Sequence, residues 1–306
     1  MISIGIVGCG RQGRRLLDAF SSLQDCQIVS CFTNSDDKKL AEVKEAYPHV
    51  KTTCNLKDAL SDDVDAAVIA SPDPTHLSLV SMALDMGKHV FVEKPLSSTY
   101  AEAVQLIEKA TQKGKALMAG HVMAFHPALD FISRDAGRIR LVRSWRFDAG
   151  KPRPSSDAIS GSLVHDVSMV ARLIEGSPSS VKSDCVCSDS LVESVQAGIR
   201  FSGGEKAFVS ADLLSPTRGR IFTVLTSSKI YSFDGYAKLS IYEVEENGTK
   251  VEMIEQKTVQ NDPIQRECKA FLELIENGRG NHASGNELLR VMSILEDIRE
   301  SALSGC

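Results

Sequence analysis

The sequence predicts an α/β protein: an N-terminal doubly wound parallel sheet, then an α+β domain with a largely antiparallel, open-faced sheet. Three observations carry this. The first 120 residues alternate short apolar runs with helical stretches, the pattern of βαβ units. A glycine-rich turn stands between the first apolar run and the first helix. After His121 the strand-like segments come in succession, with period-two alternation.

In the first part, strands are expected at 3–7, 27–32, 66–70, 89–92 and 116–119. Helices are expected at 13–22, 38–47, 56–60, 77–86 and 100–113. The run Ala66-Ala67-Val68-Ile69-Ala70 is apolar throughout, as a strand covered on both faces should be. In the second part, strands are expected at 138–147, 181–187, 195–201, 207–211, 221–226, 229–232, 238–245 and 250–257. Helices follow at 163–174, 263–276 and 286–304. Val195, Ala197, Ile199 and Phe201 alternate as on a sheet with one covered face. The expected domains are 1–120 and 121–306, with helix 286–304 a candidate to pack back on the first.

The 306 residues suffice for two domains with a sizeable core. Hydrophobic residues at 42% and charged residues at 25% are ordinary for a globular chain. A net charge of −5 without a Lys/Arg run argues against a nucleic-acid partner. No apolar stretch approaches the ~18 residues of a membrane span, and the N-terminus enters a strand directly, so a cytoplasmic location is expected. The eight cysteines are scattered without a Cys-x-x-Cys pair or a nearby histidine. No metal site is expected, and the thiols read as reduced and structural.

Ile4-Gly5-Ile6-Val7-Gly8-Cys9-Gly10-Arg11-Gln12-Gly13 is a G-x-G-x-x-G pattern between a strand and a helix. Gly8 allows the tight turn, Gly10 the approach of a pyrophosphate to the backbone, and Gly13 close helix–strand packing. Amides at the start of the helix, around Arg11 and Gln12, would bind the phosphates. The cofactor is therefore NAD or NADP. An acidic residue is expected about 20 residues on, against the adenosine ribose. Thr33, Asn34 and Ser35 stand there instead, with Asp36, Asp37, Lys38 and Lys39 following. This neutral corner tolerates a 2′-phosphate, which tips the reading slightly towards NADP; Asp36 reaching back to a ribose keeps NAD open.

Two further strand ends are distinctive: Ala70-Ser71-Pro72-Asp73-Pro74-Thr75-His76 and Gly87-Lys88-His89-Val90-Phe91-Val92-Glu93-Lys94-Pro95. With Gly120-His121 and Phe125-His126-Pro127-Ala128, they resemble the Gfo/Idh/MocA family, the glucose–fructose oxidoreductase and inositol dehydrogenase group. The resemblance implies a Rossmann domain with Ser71, Pro72, His76, Glu93 and Lys94 against the cofactor. It also implies a catalytic Lys94, a Lys94–Pro95 peptide that is often cis, and a homodimer or homotetramer formed through the open sheet. The activity implied is hydride transfer between the nicotinamide and a secondary alcohol or ketone of a sugar, polyol or nucleotide sugar.

A base is needed for the alcohol proton, and histidine suits it at neutral pH. His165 matches the family's catalytic histidine, but its aspartate partner four residues earlier is Gly161 here, and a later acid is Ser168. Asp166 follows directly, yet adjacent helical residues point about 100° apart. Three readings stay open: Lys94 and His165 suffice, a loop carboxylate such as Asp157 swings in, or the usual chemistry is lost. The last includes a cofactor-binding regulator without turnover and a reductase of a non-sugar substrate such as an enone or linear tetrapyrrole. Met123-Ala124-Phe125 departs from the Arg or Glu that many members carry. Candidate substrate contacts are His121, Lys151, Arg153 and Asp166; Arg218 and Arg220 add positive charge suited to an acidic or phosphorylated substrate.

Overall fold

A computed structural model describes residues 1–34, 37–149, 156–189, 191–245, 251–259, 262–278 and 280–304. Lys151 and Arg153 lie outside the described residues, as do Ser35 and Asp36 of the ribose corner. The chain forms two compact units: Met1–His121 with Ile264–Leu289, and Val122–Pro263 with Arg290–Cys306.

The first unit is built on a six-stranded parallel sheet in the order β3-β2-β1-β4-β5-β6. Its strands are β1 (Ile2–Val7), β2 (Cys26–Phe32), β3 (Lys51–Thr53), β4 (Ala66–Ile69), β5 (His89–Glu93) and β6 (Leu117–Gly120). The order reverses at β1/β4, and in such sheets ligands bind at the carboxyl ends of the strands beside that point. The connecting helices are α1 (Arg11–Ser21), α2 (Asp37–Ala46), α3 (Leu56–Ala59), α4 (His76–Asp85) and α5 (Tyr100–Lys113). Thr99 and Glu102 form a reciprocal cap at the start of α5, and Gly114, at φ +63°, ends it. All four residues of β4 are buried, as its unbroken apolar run predicts. β3 has no counterpart in the sequence reading; at three residues with an exposed Lys51 it is too short to show a period.

The second unit contains an eight-stranded sheet in the order β14-β13-β12-β11-β7-β10-β9-β8. These are β7 (Leu141–Ala149), β8 (Pro178–Ser188), β9 (Leu191–Phe201), β10 (Lys206–Asp212), β11 (Leu214–Leu225), β12 (Lys229–Phe233), β13 (Lys238–Val244) and β14 (Val251–Thr258). Only the β7/β10 pairing is parallel. The inward residues of the sheet, Val195, Ile199, Val209 and Phe222 among them, share one core with Leu129 and Ile132, Val167 and Val170, and Val291, Ile294 and Ile298. These pairs and the final trio lie on α6 (Pro127–Asp135), α7 (Val164–Leu173) and α9 (Gly285–Leu303) respectively. The opposite face leaves Trp145, Phe208 and Ile221 substantially exposed. Helix α6 is absent from the sequence reading; Pro127 at its first position and the His126 side chain, which accepts from the Ala128 amide, start it locally.

The division after residue 120 needs a correction. Residues Ile264–Leu289 return to the first unit, because Phe271 of α8 (Pro263–Asn277) stacks edge-on against Phe91 and Phe20 at 5.7 and 6.3 Å. The Ala119 amide also donates to the Ala283 carbonyl at 2.9 Å. Helix 286–304 is divided: its residues up to Leu289 belong to the first unit and those from Arg290 to the second, where Ser183 donates through its amide to Ser301 Oγ and through its hydroxyl to the Ile298 carbonyl. No helix among the described residues is long and apolar enough to cross a membrane.

Candidate active site

The glycine loop follows β1 directly. Gly8 has φ +110°, and a Cβ there would stand 2.6 Å from the Ala70 carbonyl oxygen. A Cβ on Gly13 would fall 1.8 Å from the Gly8 carbonyl, so the first turn of α1 packs on the loop as only glycine permits. Gly10, the N-cap of α1, is different: its Cβ would meet nothing within 4 Å. No side chain caps α1 and its first turn carries no acid. The amides of that turn and the positive end of the helix dipole therefore face an open approach, which fits a pyrophosphate.

Hydrogen bonds tie this loop to the two neighbouring strand ends. Gln12 Nε2 donates to Glu93 Oε1 at 2.8 Å, joining the glycine loop to the end of β5. His76 is fully buried, with Nδ1 2.7 Å from the Pro95 carbonyl and Nε2 3.0 Å from the Ser71 carbonyl. It thus staples the loop after β4 to the Lys94–Pro95 turn, whose peptide is cis. Both ring nitrogens face backbone, which makes His76 a positioning residue for the Lys94–Pro95 turn. Ser71 Oγ lies 2.6 Å from Thr75 Oγ1 in the same loop, beside Pro72. Thr33 is buried at the end of β2, while Asn34 and Arg11 are exposed.

Lys94 is the centre of an unusual electrostatic neighbourhood. Burial pushes the Glu93 carboxyl up, outweighing the Gln12 hydrogen bond and the charge of Lys94. Burial likewise raises Asp73, despite Lys94, and its Oδ2 is buried without a hydrogen-bond partner. Glu267 of α8 is fully buried and raised well above the usual carboxylate range, by desolvation and then by the negative charge of Glu93. His121 is 1% exposed with neither ring nitrogen bonded, and burial followed by the charge of Lys94 lowers it to about 4. At neutral pH it is an uncharged imidazole with one donor and one acceptor unused.

In the second unit His165 sits in the first turn of α7, half-buried, and its carbonyl accepts from Ser168 Oγ at 2.7 Å. A π-helical turn, Ala158–Leu163, leads into α7. Within it a Cβ on Gly161 would stand 2.5 Å from Ser156 Oγ, so a side chain there requires that hydroxyl to turn away. Asp157 caps this turn through the Ile159 and Ser160 amides and holds Arg299 with both oxygens, at 2.8 and 2.9 Å. Burial raises its carboxyl, but Arg299 and the Ser160 amide prevail and leave it below the ordinary value. Asp166 is buried as well: Oδ1 accepts from Ser144 at 2.6 Å and Oδ2 from Arg146 Nε at 2.5 Å.

Gly8, Gly10, Gln12, Gly13, Ser71, His76, Glu93, Lys94 and His121 thus share the carboxyl-end rim of the first sheet, and His165 and Asp166 share the start of α7. Sequence reasoning missed Asp73, Glu267 and Arg146. Asp73 sits inside a recognised motif, whereas Glu267 and Arg146 are polar residues buried by tertiary packing, for which the sequence carries no local signal. Among the described residues no group of three His, Cys, Asp or Glu side chains could hold a metal ion.

Residues 2–121 match the family model GFO_IDH_MocA, an oxidoreductase family with an NAD-binding Rossmann fold. The chain is 32% identical over 130 residues to a 4-carboxy-2-hydroxymuconate-6-semialdehyde dehydrogenase of Sphingobium sp., covering 42% of this chain and 41% of the relative. It is 28% identical over 185 residues to a UDP-N-acetylglucosamine 3-dehydrogenase of Acidithiobacillus ferrooxidans, covering 58% and 56%. The chain thus spans about half the length of these curated relatives. A solved structure of the Acidithiobacillus ferrooxidans enzyme superposes with a TM-score of 0.87 at 24% identity, covering 99% of this chain and 98% of that one, and so shares the fold.

Proposed function

We propose that the chain, whose residues 2–121 match the GFO_IDH_MocA oxidoreductase family model, is an NAD(P)-dependent dehydrogenase. Its substrate is a secondary alcohol or the corresponding ketone on a sugar, polyol or nucleotide sugar. The observation that carries this reading is the linked rim of the first sheet. The Gln12–Glu93 bond and the His76 staple fix Lys94 beside an uncapped helix N-terminus suited to a dinucleotide. When bound, the nicotinamide supplies or accepts the hydride.

Lys94 polarises the reacting oxygen. His165 takes the alcohol proton, or returns it in the opposite direction. His121, neutral and unbonded, offers a donor and an acceptor to the substrate or the carboxamide. The Thr33-Asn34 corner favours NADP slightly, because it offers no carboxylate to repel a 2′-phosphate. The exposed face with Trp145, Phe208 and Ile221 supports assembly into a homodimer or homotetramer.

The test is a fluorescence titration with NADH and NADPH, followed by turnover on a panel of sugars and polyols. Lys94→Ala should abolish turnover while shifting cofactor affinity no more than a few fold. One observation favours a second reading, a cofactor-binding regulator: Gly161 and Ser168 stand where the resemblance implies acidic partners of His165. Tight cofactor binding with no turnover across the panel would establish it.

A further inference from the structure

The second unit places two arginines side by side, one buried and one half-buried. In the β7/β11 register Arg220 is the direct partner of Arg146. Directly opposed residues on antiparallel strands share a face, with Cβ atoms about 4.5–5.5 Å apart, and like charges there are unfavourable. Arg146 is 1% exposed, and Arg220 is half-buried. Such a pair on the covered face of a sheet calls for a compensating group.

The protein supplies only part of it. Asp166 engages Arg146 through Nε, and Ser144 occupies the other carboxylate oxygen. Arg146 Nη2 is buried without a hydrogen-bond partner. Asp148, two residues along the same face of β7, accepts from Ser162 Oγ at 2.7 Å and forms no ion pair with either arginine among the described residues. Arg220 has a soft setting instead: its Nη1 reaches Met123 Sδ at 3.6 Å and its guanidinium lies 5.7 Å from the Tyr236 ring centre. Neither contact satisfies the fork of a guanidinium, which matches a planar or tetrahedral oxyanion.

The surroundings shape Arg220 for contact. Gly235, at φ +78°, leaves the space in which its stem lies, since a Cβ there would come within 2.6 Å of Arg220 Cδ. Exposure rises from Arg146, through the half-buried Arg220, to Tyr236, which is 62% exposed.

We propose that Arg220, with Arg146 as the charge behind it, binds an oxyanion of the substrate, a carboxylate or a phosphoryl group on a sugar-like carrier. Asp166 and Ser144 are positioning residues that hold Arg146. The proposal rests on the dehydrogenase reading for the carrier, while the arginine pair itself stands on the second unit alone.

The test uses the full chain saturated with its cofactor and three ligands of one scaffold: D-glucuronate, D-glucose 6-phosphate and neutral D-glucose, each followed by calorimetry. At least one anion should bind ten-fold or more tighter than glucose, and which one distinguishes carboxylate from phosphoryl. Arg220→Gln should erase that preference, Arg220→Lys should restore part of it, and neither should change NADH or NADPH affinity. The proposal is overturned if no anion is preferred to glucose, or if Arg220→Gln leaves the preference intact. Loss of cofactor binding by the unaltered protein would instead count against the dehydrogenase reading. Arg146→Gln is avoided because it strands a buried Asp166.

Discussion

Replacing His121 by leucine should make the protein more stable and flatten the acid limb of its stability curve. The imidazole is buried, unbonded at both nitrogens, and lowered to about 4 by desolvation and then by Lys94. An unfolded chain takes up that proton near 6.5, whereas the folded one resists until about 4. Between those limits the unfolded state binds more protons, so stability falls as pH falls. The slope is about 1.4 kcal/mol per pH unit, and the whole span is worth about 3 kcal/mol. Asp73, Glu93 and Glu267 have raised values and titrate in the opposite sense, but they remain in both proteins and cancel in the difference. At pH 7 the leucine also removes two orphaned buried nitrogens, for a gain of about 1–3 kcal/mol. Urea unfolding followed by circular dichroism at pH 7, 6 and 5 reads both effects. His121→Leu should exceed the wild type at pH 7, and its advantage should widen by about 2 kcal/mol from pH 7 to pH 5. An advantage that stays constant across that range would refute the burial argument.

Four more perturbations separate the parts of the structure. Gly10→Ala meets nothing in the folded chain and should keep the melting temperature while weakening NADH binding at least ten-fold; unchanged affinity in a fluorescence titration would remove the pyrophosphate from that loop. Gly13→Ala, with its Cβ 1.8 Å from the Gly8 oxygen, should instead lower stability by roughly 1–3 kcal/mol, seen as an earlier urea midpoint. Arg299→Met strands Asp157 and should cost about 1–3 kcal/mol at pH 7, a discounted figure because the arginine is partly solvated. Asp157 titrates below its ordinary value, so its contribution is present above about 3.8 and is lost as pH falls through the folded value. Arg299→Met should therefore lose less stability than the wild type between pH 5 and pH 3. For the proposed assembly through the open sheet face, Trp145→Glu with Phe208→Glu should leave the fold intact and lower the mass in light scattering to that of one chain; a wild-type mass above one chain that the variant keeps would remove that face as the contact.

The first unit was legible because its signals are local. A glycine turn, an apolar run and a strand-end proline each speak within a few residues, and together they placed Gly8, Gly10, Gly13 and Lys94 on the rim of one sheet. The eight strands of the second unit were readable for the same reason, through alternation such as Val195 to Phe201. What escaped notice depends on distant partners. β3 is defined by its pairing with β2, α8 joins the first unit through Phe271 meeting Phe20 and Phe91, and Glu267 becomes a site-adjacent acid only once α8 packs there. Arg146 looked like one charge in a strand until Asp166 closed on it from α7.

The missing family aspartate illustrates how packing narrows the chemistry. The sequence offers Asp157 as a loop carboxylate in its place, while Asp166, next to His165, points about 100° away on the helix. Asp157, however, gives one oxygen to the helix cap and both to Arg299, so swinging towards His165 would break a buried ion pair and uncap the turn. Asp166 is equally committed, since its two oxygens hold Ser144 and Arg146 and releasing Arg146 would leave that guanidinium buried without a counter-ion. Releasing Arg146 costs several kcal/mol for a buried pair, and releasing the partly solvated Arg299 about 1–3 kcal/mol. An aspartate restored at Gly161 would in turn collide with Ser156 Oγ. Both substitutes are thus spent on structure, and proton transfer in the proposed dehydrogenase falls to His165 and Lys94. A Gly161→Asp, Ser156→Ala double variant should then raise kcat by restoring a carboxylate beside His165, and a fall in kcat with an unchanged fold would contradict that assignment.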